Sequence, residues 1–584
     1  MQASLASPSP RRRLIPPWGR PAAGTGLTLV ALAILVVLVA APLLTILLQT
    51  VQPETREAWG EVLASRLSPN LFWRPAASTL ILGVGAAVGC VLIGGFLAWL
   101  VTMTDVPGRG VIAFLATLPF MIPSFATALA WGTVFRNSRV GGSGGLLDGL
   151  GMAVPDWLAW GMVPTILVLI AHYYALAFTV IAAALATVSG DLVEAAQMTG
   201  ASRRRTLFGI VLPVVMPAII AGGSLTFAGA VSNFAAPALL GLPVRMQTLS
   251  TRLFGMIEIG QAERGYVLAI LLIGFSAVFL MIGNRILAGR RSFATITGKG
   301  ARTRRMALGP ARVPLLVLAL LIGMVTTVLP ILLLVAASLA PQSSALFADW
   351  TLHYWIGAAD PAFARGQAGI FQNPQLLTAL SVSLGLGAVV ALAANGLGIL
   401  LAVALTRYRL GLLSEAVSQL SFLPMLLPGI AFGAAYIALY GAPIGPFPAL
   451  YGTPVLLGLA LTAAMLPFAV QTGRATIAQV SGDIDEAARM TGAGFLRRLG
   501  AITLPLASRG LIAGVLIAFV NVIGDLAIVV LLYTPTTPML SVLSYRYASD
   551  GFHQFANAVT LIILALSMLA TGLAALLRGR SRVF

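Results

Sequence analysis

Apolar stretches long enough to cross a lipid bilayer, about 20 residues at 1.5 Å per residue, recur twelve times along this chain. They lie at roughly residues 26–48, 78–103, 111–135, 162–186, 213–236 and 266–288, then 314–338, 377–405, 416–440, 454–477, 506–532 and 556–577. The polar connections are short, so few residues remain for a soluble domain. The pattern predicts an all-α, polytopic membrane fold of about twelve transmembrane helices. Proline interrupts the third and ninth runs, in "LPFMIPS" (Leu118 to Ser124) and "LPMLLPG" (Leu423 to Gly429). Such breaks in a spanning helix are tolerated where the freed carbonyls face protein or a water-filled path.

The twelve runs form two homologous sets of six. The polar string "VSGDLVEAAQMTGA" (Val188 to Ala201) returns as "VSGDIDEAARMTGA" (Val480 to Ala493), 292 residues later in a chain of 584. The same offset carries Pro213 onto Pro505 and Phe227 onto Phe519. Six is an even number of crossings, so the halves share one orientation about an axis along the membrane normal. The expected organisation is a cytoplasmic arm (1–25), a first half (26–288, core about 78–288), a basic linker (289–313), a second half (314–577, core about 377–577) and a cytoplasmic tail (578–584).

Composition fits this reading. The chain is 58% hydrophobic and 9% charged, with a mean hydropathy of +0.95, whereas about a quarter of the residues in soluble domains are charged. A net charge of +18 would suggest nucleic acid in a soluble protein. Here 35 of the 36 basic residues are Arg, and no basic stripe is interleaved with aromatics. With both termini cytoplasmic, 26 of the 36 fall on the cytoplasmic side, as the positive-inside rule requires. The expected contact is therefore membrane lipid, with no nucleic acid. The dense segment Arg290 to Arg312 reads as a positive-inside linker. Cys90 is the only cysteine, so no intrachain disulfide can form. The first apolar run is too long for a signal-peptide core and is expected to remain as an uncleaved helix.

Both copies of the polar string fall between the fourth and fifth span of their half, on the cytoplasmic side. Asp191 with Glu194, and Asp483 with Glu486, have the spacing expected of a capping box. Gly200 and Gly492 are placed to supply a left-handed stop. Positive-inside bias explains the arginines that follow. It does not explain two alanines beside a glutamate, a flat helical face suited to docking, written twice.

These loops resemble the EAA motif of ABC importer permeases: Glu194, Ala195, Ala196, Gly200, Ile210, Leu212 and Pro213, and again Glu486, Ala487, Ala488, Gly492, Ile502, Leu504 and Pro505. The resemblance covers nearly the whole chain. It implies the type I importer permease fold in the bacterial inner membrane. It also implies that each loop holds a coupling helix seated in a groove of a separate ATP-binding subunit, with an ATPase homodimer and an external substrate-binding protein as partners. Two fused permease domains look most like the iron(III)-type permeases, and "NFAAPALLGLPVRMQTLSTRLF" (Asn233 to Phe254) resembles the iron and phosphonate branches. Ferric iron is the expected cargo. Polyamine, 2-aminoethylphosphonate, thiamine or another small solute remain open.

The chain has no nucleotide loop, because the stretch around Lys299 lacks both the leading Gly and the trailing Ser or Thr. It is therefore expected not to be an enzyme, and ATP hydrolysis is expected in the partner. Ionisable residues inside spans are few, and each is a candidate. Asp525 lies 20 residues after Pro505, near the outer end of the eleventh span, and the 292 offset maps it onto Asn233. The two are candidates for a gate or a cation contact, or else for an interfacial acid and a helix-interface amide. His172 is read as a hydrogen-bonded core histidine rather than a ligand, and no metal or cofactor site is expected. A proton-coupled secondary transporter of two parallel six-helix halves is the remaining rival. It is disfavoured by the lack of an obvious proton-relay carboxylate in the first six spans.

Overall fold

The computed structural model describes residues 22–188, 198–200, 202–288, 306–361, 364–408, 410–478, 484, 487–488 and 490–578. The first half folds as α1 (Gly24–Val51), α2 (Pro69–Met103), α3 (Arg109–Met121), α4 (Ser124–Phe135), α5 (Met162–Leu185), α6 (Leu207–Ser232), α7 (Ala235–Leu240), α8 (Leu249–Glu258) and α9 (Ala262–Ala288). The second half repeats the order as α10 (Gly309–Leu339), α11 (Pro374–Arg407), α12 (Leu412–Leu426), α13 (Gly429–Tyr440), α14 (Pro454–Ile477), α15 (Leu499–Gly524), α16 (Val529–Leu532), α17 (Leu540–Ser549) and α18 (His553–Arg578). Helices α5 and α14, like α6 and α15, stand 292 residues apart at both ends.

Among the described residues, ten helices are long and apolar enough to cross a membrane, and counting each of the bent pairs α3–α4 and α12–α13 as one span gives twelve. These pairs depart from the straight crossings expected over 111–135 and 416–440: they bend by 96° and 114°. The cause is local. Ile122 and Leu427 precede prolines and take extended ψ values of 119° and 137°, because the proline ring disfavours the α region at the residue before it. The fifth and eleventh spans also end earlier than expected. Their helices stop at Ser232 and Gly524, and the next residues, Asn233 and Asp525, turn extended with ψ of 125° and 124°.

Among the described residues, five π-helical turns follow one rule. They occupy Val36–Ala40, Pro69–Trp73, Leu207–Val211, Met324–Val328 and Leu499–Thr503, and each ends two residues before a proline: Pro42, Pro75, Pro213, Pro330 and Pro505. A proline ring collides with the carbonyl four residues back and offers that carbonyl no N–H. Widening the preceding turn moves the carbonyl aside.

In the first spans, the widened turns become the joints between halves. Tyr436 and Tyr440, on α13, donate their hydroxyls to the Leu38 and Val37 carbonyls of α1 at 2.5 and 2.9 Å. Reciprocally, Thr326 on α10 shares a 3.0 Å hydrogen bond with Tyr174 on α5, and Thr327 donates to the Leu115 carbonyl on α3 at 3.4 Å. Each half's first span thus lies against the other half's broken third span, with α1 on α12 and α13 and α10 on α3 and α4. Within each half the tightest pairs are α2 with α5 and α11 with α14. A β-carbon on Gly94 would stand 2.7 Å from the Phe178 nitrogen, and one on Gly398 would stand 2.6 Å from the Ala469 carbonyl carbon. Small residues at a crossing allow this approach, which in lipid supplies much of the association energy.

Candidate translocation site and docking loops

Of the predicted docking residues, Glu194, Ala195, Ala196 and Glu486 lie outside the described residues. What is described of the two loops matches between copies. Gly200 and Gly492 have φ of 79° and 77°, a left-handed backbone that glycine adopts without a side-chain penalty. In the second copy the Ala493 N–H donates to the Ala488 carbonyl at 3.1 Å, with Gly492 between them, which is the six-to-one bond of a Schellman stop. Ala487 is exposed and Ala488 half-buried. Met198 and Met490, the last helical residue before each stop, are both 89% exposed. The two methionines hold the same position in each repeat, 292 residues apart.

The other predicted pair, Asn233 and Asp525, meets at one cavity. It encloses about 410 Å³ and is lined by both residues. The broken spans form its rim: Phe120, Met121, Pro123 and Ser124 from the first half, Met425, Leu427 and Gly429 from the second. Irregular backbone at membrane depth is thereby placed against a cavity rather than lipid. His172, the eleventh of the 24 residues of α5, also faces the cavity. This places Asp525 level with the middle of the bundle and not near its outer end, because α15 stops short of the length its hydropathy allows.

The two halves hold their polar residues alike, then diverge. The Asn233 Oδ1 accepts the Ala236 N–H at 3.0 Å, and the Asp525 Oδ1 accepts the Ile528 N–H at 2.9 Å, so each caps the short helix after its span. The Asn233 amide goes further, donating to Ser124 Oγ at 2.9 Å and Tyr173 Oη at 3.2 Å. The offsets that align the halves put Gly429 where Ser124 stands and Met465 where Tyr173 stands. Asp525 therefore keeps the backbone bond but, among the described residues, lacks the side-chain partners, and it lines the cavity. Asn521 lines the same wall, its Nδ2 donating to the Ile517 carbonyl at 2.8 Å. His172 is 9% exposed, stacked on Phe120 at 5.9 Å and edge-on to Tyr173 at 4.5 Å. The lining includes one carboxylate and one imidazole, with no Arg or Lys among the described residues. Ser124, Tyr173 and Asn521 were missed in the sequence, although Ser124 closes one of the two proline motifs that mark the breaks.

The family model for the binding-protein-dependent transport system inner membrane component matches this chain twice, over residues 90–292 and 394–583. The probable ABC transporter permease protein y4fN of Sinorhizobium fredii is 26% identical over 480 residues, covering 80% of this chain and 78% of the relative. The ferric transport system permease protein FbpB of Actinobacillus pleuropneumoniae is 23% identical over 465 residues, 77% of this chain, which spans 63% of that protein's length. The sulfate transport system permease protein CysT of Salmonella typhimurium is 31% identical over 211 residues, 34% of this chain and 76% of the relative. With two matched domains that together take in well over half of the chain, and with paired loops and paired broken spans around one cavity, the chain belongs to the family of binding-protein-dependent inner membrane transport components, as an ABC importer permease with two permease domains fused in tandem.

Proposed function

We propose that this permease moves a cationic solute, ferric iron first among the candidates, through the cavity between its halves. We also propose that ATP hydrolysed by two separate subunits drives the movement through the repeated loops. The observation that carries the cargo reading is the Asp525 carboxylate on the cavity wall, at the position where the first half has the neutral and fully engaged Asn233. A carboxylate without a side-chain partner in a confined site attracts a cation far more strongly than it would in water. The ferric permease among the relatives supports this cargo, and polyamine or thiamine would satisfy the same charge.

The coupling reading rests on the two loops. Each presents a helical stop and an exposed methionine at one end of the molecule, and two loops fit one ATPase dimer. An external binding protein would deliver cargo at the opposite end, with both termini on the cytoplasmic side. ATP can favour one state of the permease only if docking contacts differ between states.

The test is uptake into proteoliposomes holding this chain, its ATPase subunits and its binding protein, with ferric iron, spermidine, thiamine, 2-aminoethylphosphonate and sulfate offered in turn. The expected result is ATP-dependent accumulation of one cationic solute. ATP-dependent accumulation of sulfate alone would overturn the cargo proposal.

A further inference from the structure

A second cavity, of about 490 Å³, lies at the end of the molecule opposite the repeated loops, where α4 ends and α5 begins. It stands end to end with the central one along α4: Ser124 and Phe125 line the first, Leu129 and Gly132 the second. Between them is an apolar layer in which Phe125, Leu129, Phe234 and Ala238 are each at most 5% exposed.

In the wall of this second cavity is Arg136, the residue after α4. It is 6% exposed, and among the described residues its Nε and Nη1 have no hydrogen-bond partner. Its guanidinium lies over Gly132, where a β-carbon would stand 3.3 Å from Nη2. Asp156, an acid in the same connection, is already engaged: it pairs with Arg139 and accepts from Asn137 Nδ2 at 2.8 Å. Burial pushes the Arg136 guanidinium down to about 10, which leaves it a cation at neutral pH. The cavity also holds His553, whose Nδ1 is buried without a partner among the described residues. At the rim are Arg365, stacked over Phe552 at 5.4 Å, and Asp550. Two arginines thus face one exposed carboxylate.

A buried charge without a counterion is strongly unfavourable, and this one adjoins an open volume large enough for a small molecule. We infer that the cavity is a binding site for a small oxyanion, with Arg136 as its principal ligand and His553 and Arg365 beside it. A planar guanidinium with free N–H groups suits two oxygens of a sulfate, phosphate or phosphonate group. The anion can be a free solute or the phosphate of a lipid. The site is separate from the Asp525 cavity, carries the opposite charge and does not depend on the cargo proposal.

The experiment is thermal unfolding of the purified full-length chain in detergent at constant ionic strength, titrated with sodium sulfate, sodium phosphate or, in a parallel arm, short-chain phosphatidylglycerol, each against sodium chloride. The wild type should gain a saturable rise in unfolding temperature with sulfate and phosphate if the source is free anion, or with the lipid alone if the source is a headgroup. Arg136→Gln should lose that response while unfolding, without anion, at no lower a temperature than the wild type, since it removes an unpaired buried charge. Arg136→Lys, which retains the charge but not the planar fork, should bind about tenfold more weakly. No response of the wild type in any arm, or an unchanged response in Arg136→Gln, would overturn the site.

Discussion

At the scale of single residues, two glycines and one acid carry most of the functional reading. Gly200 and Gly492 follow the last helical residue of each repeated loop in a conformation that most other residues adopt at a cost of roughly 1–2 kcal/mol. Replacing both by alanine should loosen the two stops and weaken ATPase association by roughly fivefold or more, measured as the affinity of the purified permease for its ATPase subunits. Wild-type affinity in the double variant would show that the stops do not shape the docking surface. The glycines were readable in the sequence because the motif repeats. The surroundings of Asp525 were not, because its distinction from Asn233 lies in what Gly429 and Met465 fail to offer, and the offset that aligns those positions changes between the third and fourth spans of each half.

At the scale of helices, the crossings of α2 with α5 and α11 with α14 are the tightest in each half, and a glycine occupies each. Gly398→Val should force α11 off Ala469 and lower stability by about 1–3 kcal/mol, visible as a lower unfolding temperature. Gly396→Val, two residues away, where a β-carbon would meet nothing within 4 Å, should leave the temperature nearly unchanged. Equal effects from the two would contradict the packing account. Hydropathy located the ten long apolar helices and both bent pairs but drew the third and ninth runs as straight. The prolines in "LPFMIPS" and "LPMLLPG" announced a break, yet a bend beyond 90° depends on the extended residue before each proline together with the partner helices that cover it. The π turns were not legible: the prolines that follow them are plain in the sequence, but Pro217 and Pro467 lie inside α6 and α14 without a π turn directly before them, so a proline alone does not announce one.

At the scale of the whole molecule, two parallel halves clasp each other through α1 and α10 around one cavity, with the repeated loops at one end and the Arg136 cavity at the other. Glu194→Lys combined with Glu486→Lys should abolish co-purification with the ATPase subunits while leaving the unfolding temperature of the permease intact; retained co-purification would remove the docking assignment. The repeat and the two loops follow from the chain's periodicity and motifs. The cavity does not, since it is assembled from four chain breaks far apart in sequence. The central claim, that a cation passes Asp525 on its way through, is tested most directly by ATP-dependent uptake in proteoliposomes with Asp525→Asn. The account predicts that uptake falls roughly 10- to 100-fold, the loss of a charged contact, while ATPase association and ATP hydrolysis stimulated by the binding protein persist. Uptake at the wild-type rate in that variant would contradict it.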